Sequence, residues 1–201
     1  MGLHYIDPPF CRDCGYPYFG RVDSGRTCPN CVQLEPCFSA GRSLILHRGV
    51  GARIVIELKY HNGLFLRDDI RWIAGRARLD TYLADATLIP VPLHPRKMRE
   101  RGFNQSAFLA RIFAGAVSRA QMNDILVRDT DTSTQTRLSR DDRRRNVKNA
   151  FAIRPGITFS RGMNCVLVDD VYTTGATLNE CARVLLKAGA EDVRILTLAH
   201  G

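Results

Sequence analysis

Hydrophobic order along this chain starts late. The first 40 residues show almost no apolar period, and from about Gly41 apolar runs and helical stripes alternate. Leu44, Ile45, Val50, Ile54, Ile56 and Leu58 have the spacing of a helix or helix pair reaching Tyr60, where His61-Asn62-Gly63 breaks it. A second helical stretch is predicted over about residues 64–78. Thr87-Leu88-Ile89-Pro90-Val91-Pro92 reads as a short buried strand that runs into proline-stiffened loop. Asn104 is placed to cap a helix from Gln105 to about Ser118, with Phe108, Ile112, Phe113 and Ala116 on one face. Residues 128–148 are the most polar stretch and predict a mobile loop, then a short helix or turn, then an edge strand at 150–153. Cys165-Val166-Leu167-Val168 has the texture of a buried strand. Leu178, Cys181, Ala182 and Leu185 follow at helical spacing, Gly189 is placed to end that helix, and residues 193–198 form a final strand. Strands alternating with helices predict an α/β fold, a mainly parallel sheet flanked by helices.

Residues 1–40 are rich in Cys, Pro and Gly and cannot build a core by burial alone. They contain two Cys-x-x-Cys knuckles, Cys11-Arg12-Asp13-Cys14 and Cys28-Pro29-Asn30-Cys31. Each knuckle presents two thiolates from one tight turn, and two knuckles suit a tetrahedral structural Zn²⁺ site with Cys11, Cys14, Cys28 and Cys31 as ligands. The metal then substitutes for the missing core. Cys37 and His47 read as polar neighbours rather than ligands, and Cys165 and Cys181 as core residues. The expected organisation is a zinc ribbon over 1–40 and one α/β domain over 41–201.

Charge adds a preference for anions. The 201 residues carry a formal net charge of +9, which four thiolates and one zinc ion would lower to about +7. No run is apolar enough for a membrane span, and the N-terminal residues lack a signal-peptide layout. With cysteines crowded as for a metal rather than for disulfides, the expected compartment is the cytoplasm, without membrane insertion.

The most informative stretch is Val166-Leu167-Val168-Asp169-Asp170-Val171-Tyr172-Thr173-Thr174-Gly175-Ala176-Thr177-Leu178. A buried strand ending in Asp169 and Asp170 delivers two carboxylates to the carboxyl edge of the sheet, where open α/β folds bind ligands. Burying that pair without a ligand is costly, because both charges need partners. Thr173, Thr174, Gly175, Ala176 and Thr177 then lead into a helix, where backbone N–H groups and hydroxyls can face an anion. One end of such a site suits a phosphate; the carboxylates suit vicinal hydroxyls.

Two basic stretches accompany it. Ile89-Pro90-Val91-Pro92-Leu93-His94-Pro95-Arg96-Lys97-Met98-Arg99-Glu100-Arg101-Gly102-Phe103-Asn104-Gln105 carries a strand into four cations, which points to pyrophosphate contact by Arg96, Lys97 or both; the alternative is a solvated basic surface. Residues 134–151 hold Arg137, Arg140, Arg143, Arg144 and Arg145 and read either as a closing loop over the site or as a patch for nucleic-acid phosphates.

The acidic–threonine segment resembles the phosphoribosyl pyrophosphate (PRPP) motif of type I phosphoribosyltransferases over its whole length. That resemblance implies ribose contacts for Asp169 and Asp170 and 5′-phosphate contacts for Thr173 through Thr177. Pro-Val-Pro-Leu, Arg-Gly-Phe-Asn-Gln, Leu58-Lys59-Tyr60 and the Gln…Leu-Ser…Arg…Asn-Val…Ala-Phe pattern narrow it further. With the cysteine knuckles, they are similar to the competence protein F (ComF) family. Membership implies a type I phosphoribosyltransferase fold with an N-terminal zinc ribbon, PRPP and Mg²⁺ as ligands, and a link to natural transformation. Single-stranded DNA and proteins of the competence machinery are the implied partners. It also leaves an alternative: an active transferase, unrelated to DNA, in which a nitrogen nucleophile displaces pyrophosphate from C1 of PRPP with Asp170 as candidate general base. The short tail after the last strand offers no recognisable hood for an acceptor base.

Overall fold

The computed structural model describes residues 2–18, 26–117, 120–128, 147 and 149–201. Among them five strands form one all-parallel sheet in the order β1-β7-β6-β2-β3. The strands are β1 (Ala40–Leu46), β2 (Thr87–Pro90), β3 (Gln121–Met122), β6 (Asn164–Tyr172) and β7 (Asp192–His200). A separate antiparallel ribbon pairs β4 (Leu126–Arg128) with β5 (Phe151–Ile153). The helices are α1 (Pro29–Leu34), α2 (Val50–Tyr60), α3 (Arg67–Arg76), α4 (Asp80–Leu83), α5 (Pro95–Arg101), α6 (Gln105–Ala114) and α7 (Ala176–Ala188).

Four expectations change. Leu44 and Ile45 lie in a strand, not in a helix: Leu44-Ile45-Leu46 is a short unbroken apolar run, whose period does not separate helix from strand, and pairing with β7 decides it. The helix begins only at Val50, after Gly49 turns the chain at φ 53°. β6 does not end at the acidic pair but continues to Tyr172, because β7 is long enough to pair Asp169 with Thr197 and Tyr172 with His200. α6 stops at Ala114, so Ala116 is outside it. Residues 151–153 are a strand, but one of the separate ribbon rather than of the main sheet.

Alternation along the buried strands divides the core between the two faces of the sheet. Leu88, Val166, Val168, Leu196 and Leu198 face α2, α3 and α6, where Leu58, Ile70, Ile73, Leu109 and Phe113 are buried. Ile89, Cys165, Leu167, Val193 and Ile195 face α7, which contributes Cys181, Ala182 and Leu185. Cys11, Cys14, Cys28 and Cys31 belong to this second layer. Each fully buried Leu or Ile adds about 1.5–3 kcal/mol of hydrophobic free energy, so the sheet is held from both sides without help from the loops at its carboxyl edge. Among the described residues no helix is long and apolar enough to cross a membrane.

Candidate functional site

Central strand β6 carries Asp169 and Asp170 to the carboxyl edge of the sheet, flanked by β2 and β7. Their partners come from two helices. Asn104 caps α6, its side-chain oxygen accepting from Ser106 N at 2.9 Å, while its Nδ2 donates to Val91 O at 3.0 Å. That cap fixes Ser106, whose Oγ donates to Asp169 Oδ1 at 2.9 Å; Asp170 N donates to the same oxygen at 2.9 Å. From the end of α2, Lys59 Nζ sits 3.0 Å from Asp170 Oδ1. Gln105 holds α6 to α2 by donating to Leu58 O at 3.2 Å.

The two carboxyls are therefore unlike. Burial, and then the Asp170 charge, push the Asp169 carboxyl up to about 7, against the Asp170 N–H, Lys59 and Ser106. Asp170, read from the sequence as the general-base candidate, is the partner of the Lys59 ammonium group. His47, beyond β1, is held below its ordinary value by burial and by Lys59, with Asp170 opposing.

After Tyr172 the chain turns through Thr173, Thr174 and Gly175 into α7. Gly175 has φ 77°, and a Cβ there would overlap the Tyr172 hydroxyl and Leu34. Thr174 Oγ1 accepts from Ala176 N at 3.4 Å, and no side chain caps the helix at Gly175. Asp169, Thr173, Thr174, Gly175, Ala176 and Thr177 line one small hollow of about 40 Å³. Its wall thus combines a carboxyl with the amino end of a 13-residue helix, a combination suited to a hydroxylated anion.

Arg96 and Lys97 part company on α5. Arg96 lies on the exposed side, with Nε 3.3 Å from Glu100 Oε1. Lys97 is half-buried, and its ammonium is held below its ordinary range by burial and then by Arg128, Arg101 and Lys59. Lys97 therefore shares a cationic field with Lys59, while Arg96 pairs with Glu100. Arg137, Arg140, Arg143, Arg144 and Arg145 lie outside the described residues.

The four knuckle cysteines are buried, and their sulfurs all lie within 4.8 Å of one another. Cys14 Sγ and Cys28 Sγ are 3.6 Å apart. Tetrahedral Zn–S bonds of about 2.3 Å place sulfurs about 3.8 Å apart, so this donor set fits a four-thiolate zinc ion. Cys37 is exposed, and neither it nor His47 joins the cluster. Cys165 and Cys181 are buried in the core.

Sequence reasoning left Ser106 without a role and met Lys59 only within Leu58-Lys59-Tyr60. Signals existed for both. Lys59 adjoins the buried Leu58 on α2, and Ser106 follows a helix cap whose loop leaves a strand end.

The chain matches the phosphoribosyl transferase domain family over residues 100–201. β1 and β2 precede that span and yet complete the same sheet. Competence protein F of Haemophilus influenzae is 32% identical over 98% of this chain and 93% of its own length. DNA utilization protein YhgH of Salmonella typhi is 40% identical over 94% of this chain and 83% of its own. A hypoxanthine phosphoribosyltransferase structure from Staphylococcus aureus aligns over 67% of this chain and 64% of its own at 14% identity and TM-score 0.43, a likeness too slight to carry weight. With one family model spanning half the sequence and full-length relatives at these identities, the chain belongs to the phosphoribosyl transferase domain family, alongside competence protein F and YhgH.

Proposed function

We propose that this protein is a ComF-like PRPP-binding protein of the phosphoribosyltransferase type that serves DNA uptake. One observation carries the ligand: the Asp169 carboxyl on β6 and the glycine-turned start of α7 line the same hollow. In this reading Asp169 and Asp170 accept from the ribose hydroxyls, and the segment Thr173, Thr174, Gly175, Ala176, Thr177 takes the 5′-phosphate. Lys97 meets the pyrophosphate from α5, with Arg96 a peripheral contributor. Mg²⁺ travels on the diphosphate, which supplies most of its oxygen ligands, and offsets the charge there. The DNA link rests on the relatives' names and on the +9 charge; single-stranded DNA and proteins that handle it are the partners, and the cytoplasm is the compartment. The division into a zinc ribbon over 1–40 and a ligand-binding domain over 41–201 belongs to the same proposal.

A second reading is phosphoribosyl transfer to a nitrogen acceptor. The raised Asp169 carboxyl favours it, since a group near pH 7 can take and hold a proton. Positioning and charge stabilisation would supply the catalysis, with no covalent protein intermediate.

Paired calorimetric titrations with PRPP–Mg²⁺ and with a single-stranded oligonucleotide test these readings on wild type and on Asp169→Ala/Asp170→Ala. The expected result is PRPP binding in wild type and none in the variant, with oligonucleotide binding kept in both. Equal PRPP affinity in both proteins sinks the site assignment. Pyrophosphate release on adding candidate acceptors separates the transferase from the binding protein.

A further inference from the structure

Tyr172 joins two segments far apart in the sequence. Its hydroxyl lies 3.9 Å from Cys31 Sγ and accepts from Asn30 Nδ2 at 3.4 Å. The same hydroxyl rests against Gly175, which is why a Cβ there would strike it. Leu34, the last residue of the helix that leaves the second knuckle, closes on Gly175 from its own side. A little further on, Cys37 N donates to Asn179 Oδ1 at 2.6 Å, clipping the chain after α1 to the first turns of α7. The Tyr172 ring is fully buried and stacks on His200, with centroids 4.7 Å apart. Every one of these contacts is made to Tyr172, to Gly175 or to the first turn of α7.

We propose that the four-cysteine element is the rear wall of the phosphate loop, and that a metal on its thiolates holds the loop in its binding shape through Tyr172 and Leu34. The proposal rests on the reading of that loop as a phosphate site, but its first test needs no ligand.

The physical case has three parts. First, α1 has six residues, too few to persist in water without support, and its segment lacks a core of its own. Metal binding therefore supplies its folding free energy. Second, without the metal Asn30 and Leu34 lose their fixed places, and the Tyr172 hydroxyl loses its thiolate acceptor. Third, Gly175 sits at positive φ with no side chain, so with Leu34 displaced and the Tyr172 hydroxyl unanchored the turn is left to the 3.4 Å Thr174 Oγ1–Ala176 N contact and the first backbone bond of the helix. The opposite face of the sheet, packed by α2, α3 and α6, shares none of these contacts and should stay folded. Tyr172 is on this account a positioning residue: it touches the loop and not the ligand.

Hydrogen–deuterium exchange on the full chain tests this, comparing zinc-loaded protein with protein stripped by a chelator under reductant. Exchange at residues 173–178 should rise about tenfold or more on stripping, while residues 164–168 in β6 keep their protection, and added Zn²⁺ should reverse the change. Unchanged exchange at 173–178, with the cysteine segment fully open, overturns the proposal. If stripping unfolds the control strand too, zinc-loaded Asn30→Ala/Leu34→Ala decides. Faster exchange confined to the loop supports the coupling, and wild-type exchange there refutes it. PRPP titration of zinc-loaded Tyr172→Phe and Tyr172→Leu adds the functional arm. The hydroxyl-free ring should weaken binding several-fold and the leucine more, at unchanged zinc content. A zinc-loaded wild type that fails to bind PRPP removes the phosphate reading and leaves the exchange result to stand or fall alone.

Discussion

Replacing Lys59 by methionine keeps most of the aliphatic stem against α2 and removes the ammonium 3.0 Å from Asp170 Oδ1. Lys59 keeps 25% of its side chain exposed and Asp170 only 10%, so the pair is mostly withdrawn from water. At an effective dielectric of about 20, contact at this range is worth about 5.5 kcal/mol before desolvation is charged against it. Desolvation cancels much of that gain, but removing one partner leaves the other buried and unpaired, at about 3–5 kcal/mol for a fully buried pair. Allowing for the exposed part of Lys59, Lys59→Met should cost about 2 kcal/mol, measured by urea denaturation at pH 7.5. Asp170→Asn removes the charge that needs a partner, so Lys59→Met/Asp170→Asn should be less destabilised than the sum of the singles by about 1–2 kcal/mol. Strictly additive costs would show that the contact carries no energy and would refute the pairing as the reason Asp170 can be buried.

The other predictions concern the turn, the raised carboxyl and the metal. Gly175→Ala forces a Cβ into the Tyr172 hydroxyl and Leu34 and puts alanine at φ 77°, which together cost about 2–4 kcal/mol; calorimetry should find PRPP affinity down by 30-fold or more. Asp169 binds its proton more tightly in the folded chain, near pH 7, than its ordinary value of 3.8. Unfolding therefore releases a proton between those values, and its contribution favours the fold below pH 4 and is lost as pH rises to 7. Asp169→Asn should flatten the fall in urea stability across that window, and a slope equal to wild type would contradict the assignment. Purified protein should carry one zinc ion per chain by elemental analysis, and Cys28→Ser/Cys31→Ser should carry none and melt at a lower temperature.

How legible each part was depended on whether its signal was local. The knuckles and the acidic–threonine segment are contiguous motifs, and both emerged where the sequence placed them. Asn104 as a cap and Gly189 as a helix end were equally local and were found in those roles. Leu44 and Ile45 misled because three apolar residues in a row fit either period until β7 lies alongside. The extension of β6 past the carboxyls was hidden for the same reason, since pairing with β7 is a property of the sheet. Lys59 and Ser106 reach the acidic pair from α2 and α6, and no spacing rule links residues 58–60 or 106 to 169–170. The contact of Tyr172 with Cys31 spans 141 positions and lay equally beyond local reading.

PRPP–Mg²⁺ binding by isothermal titration calorimetry tests the central claim most directly. Zinc-loaded wild type should bind one PRPP per chain saturably, and Asp169→Ala/Asp170→Ala, with its fold checked by circular dichroism, should bind none. Absent binding in folded, zinc-loaded wild type, or equal affinity in the variant, would contradict the account.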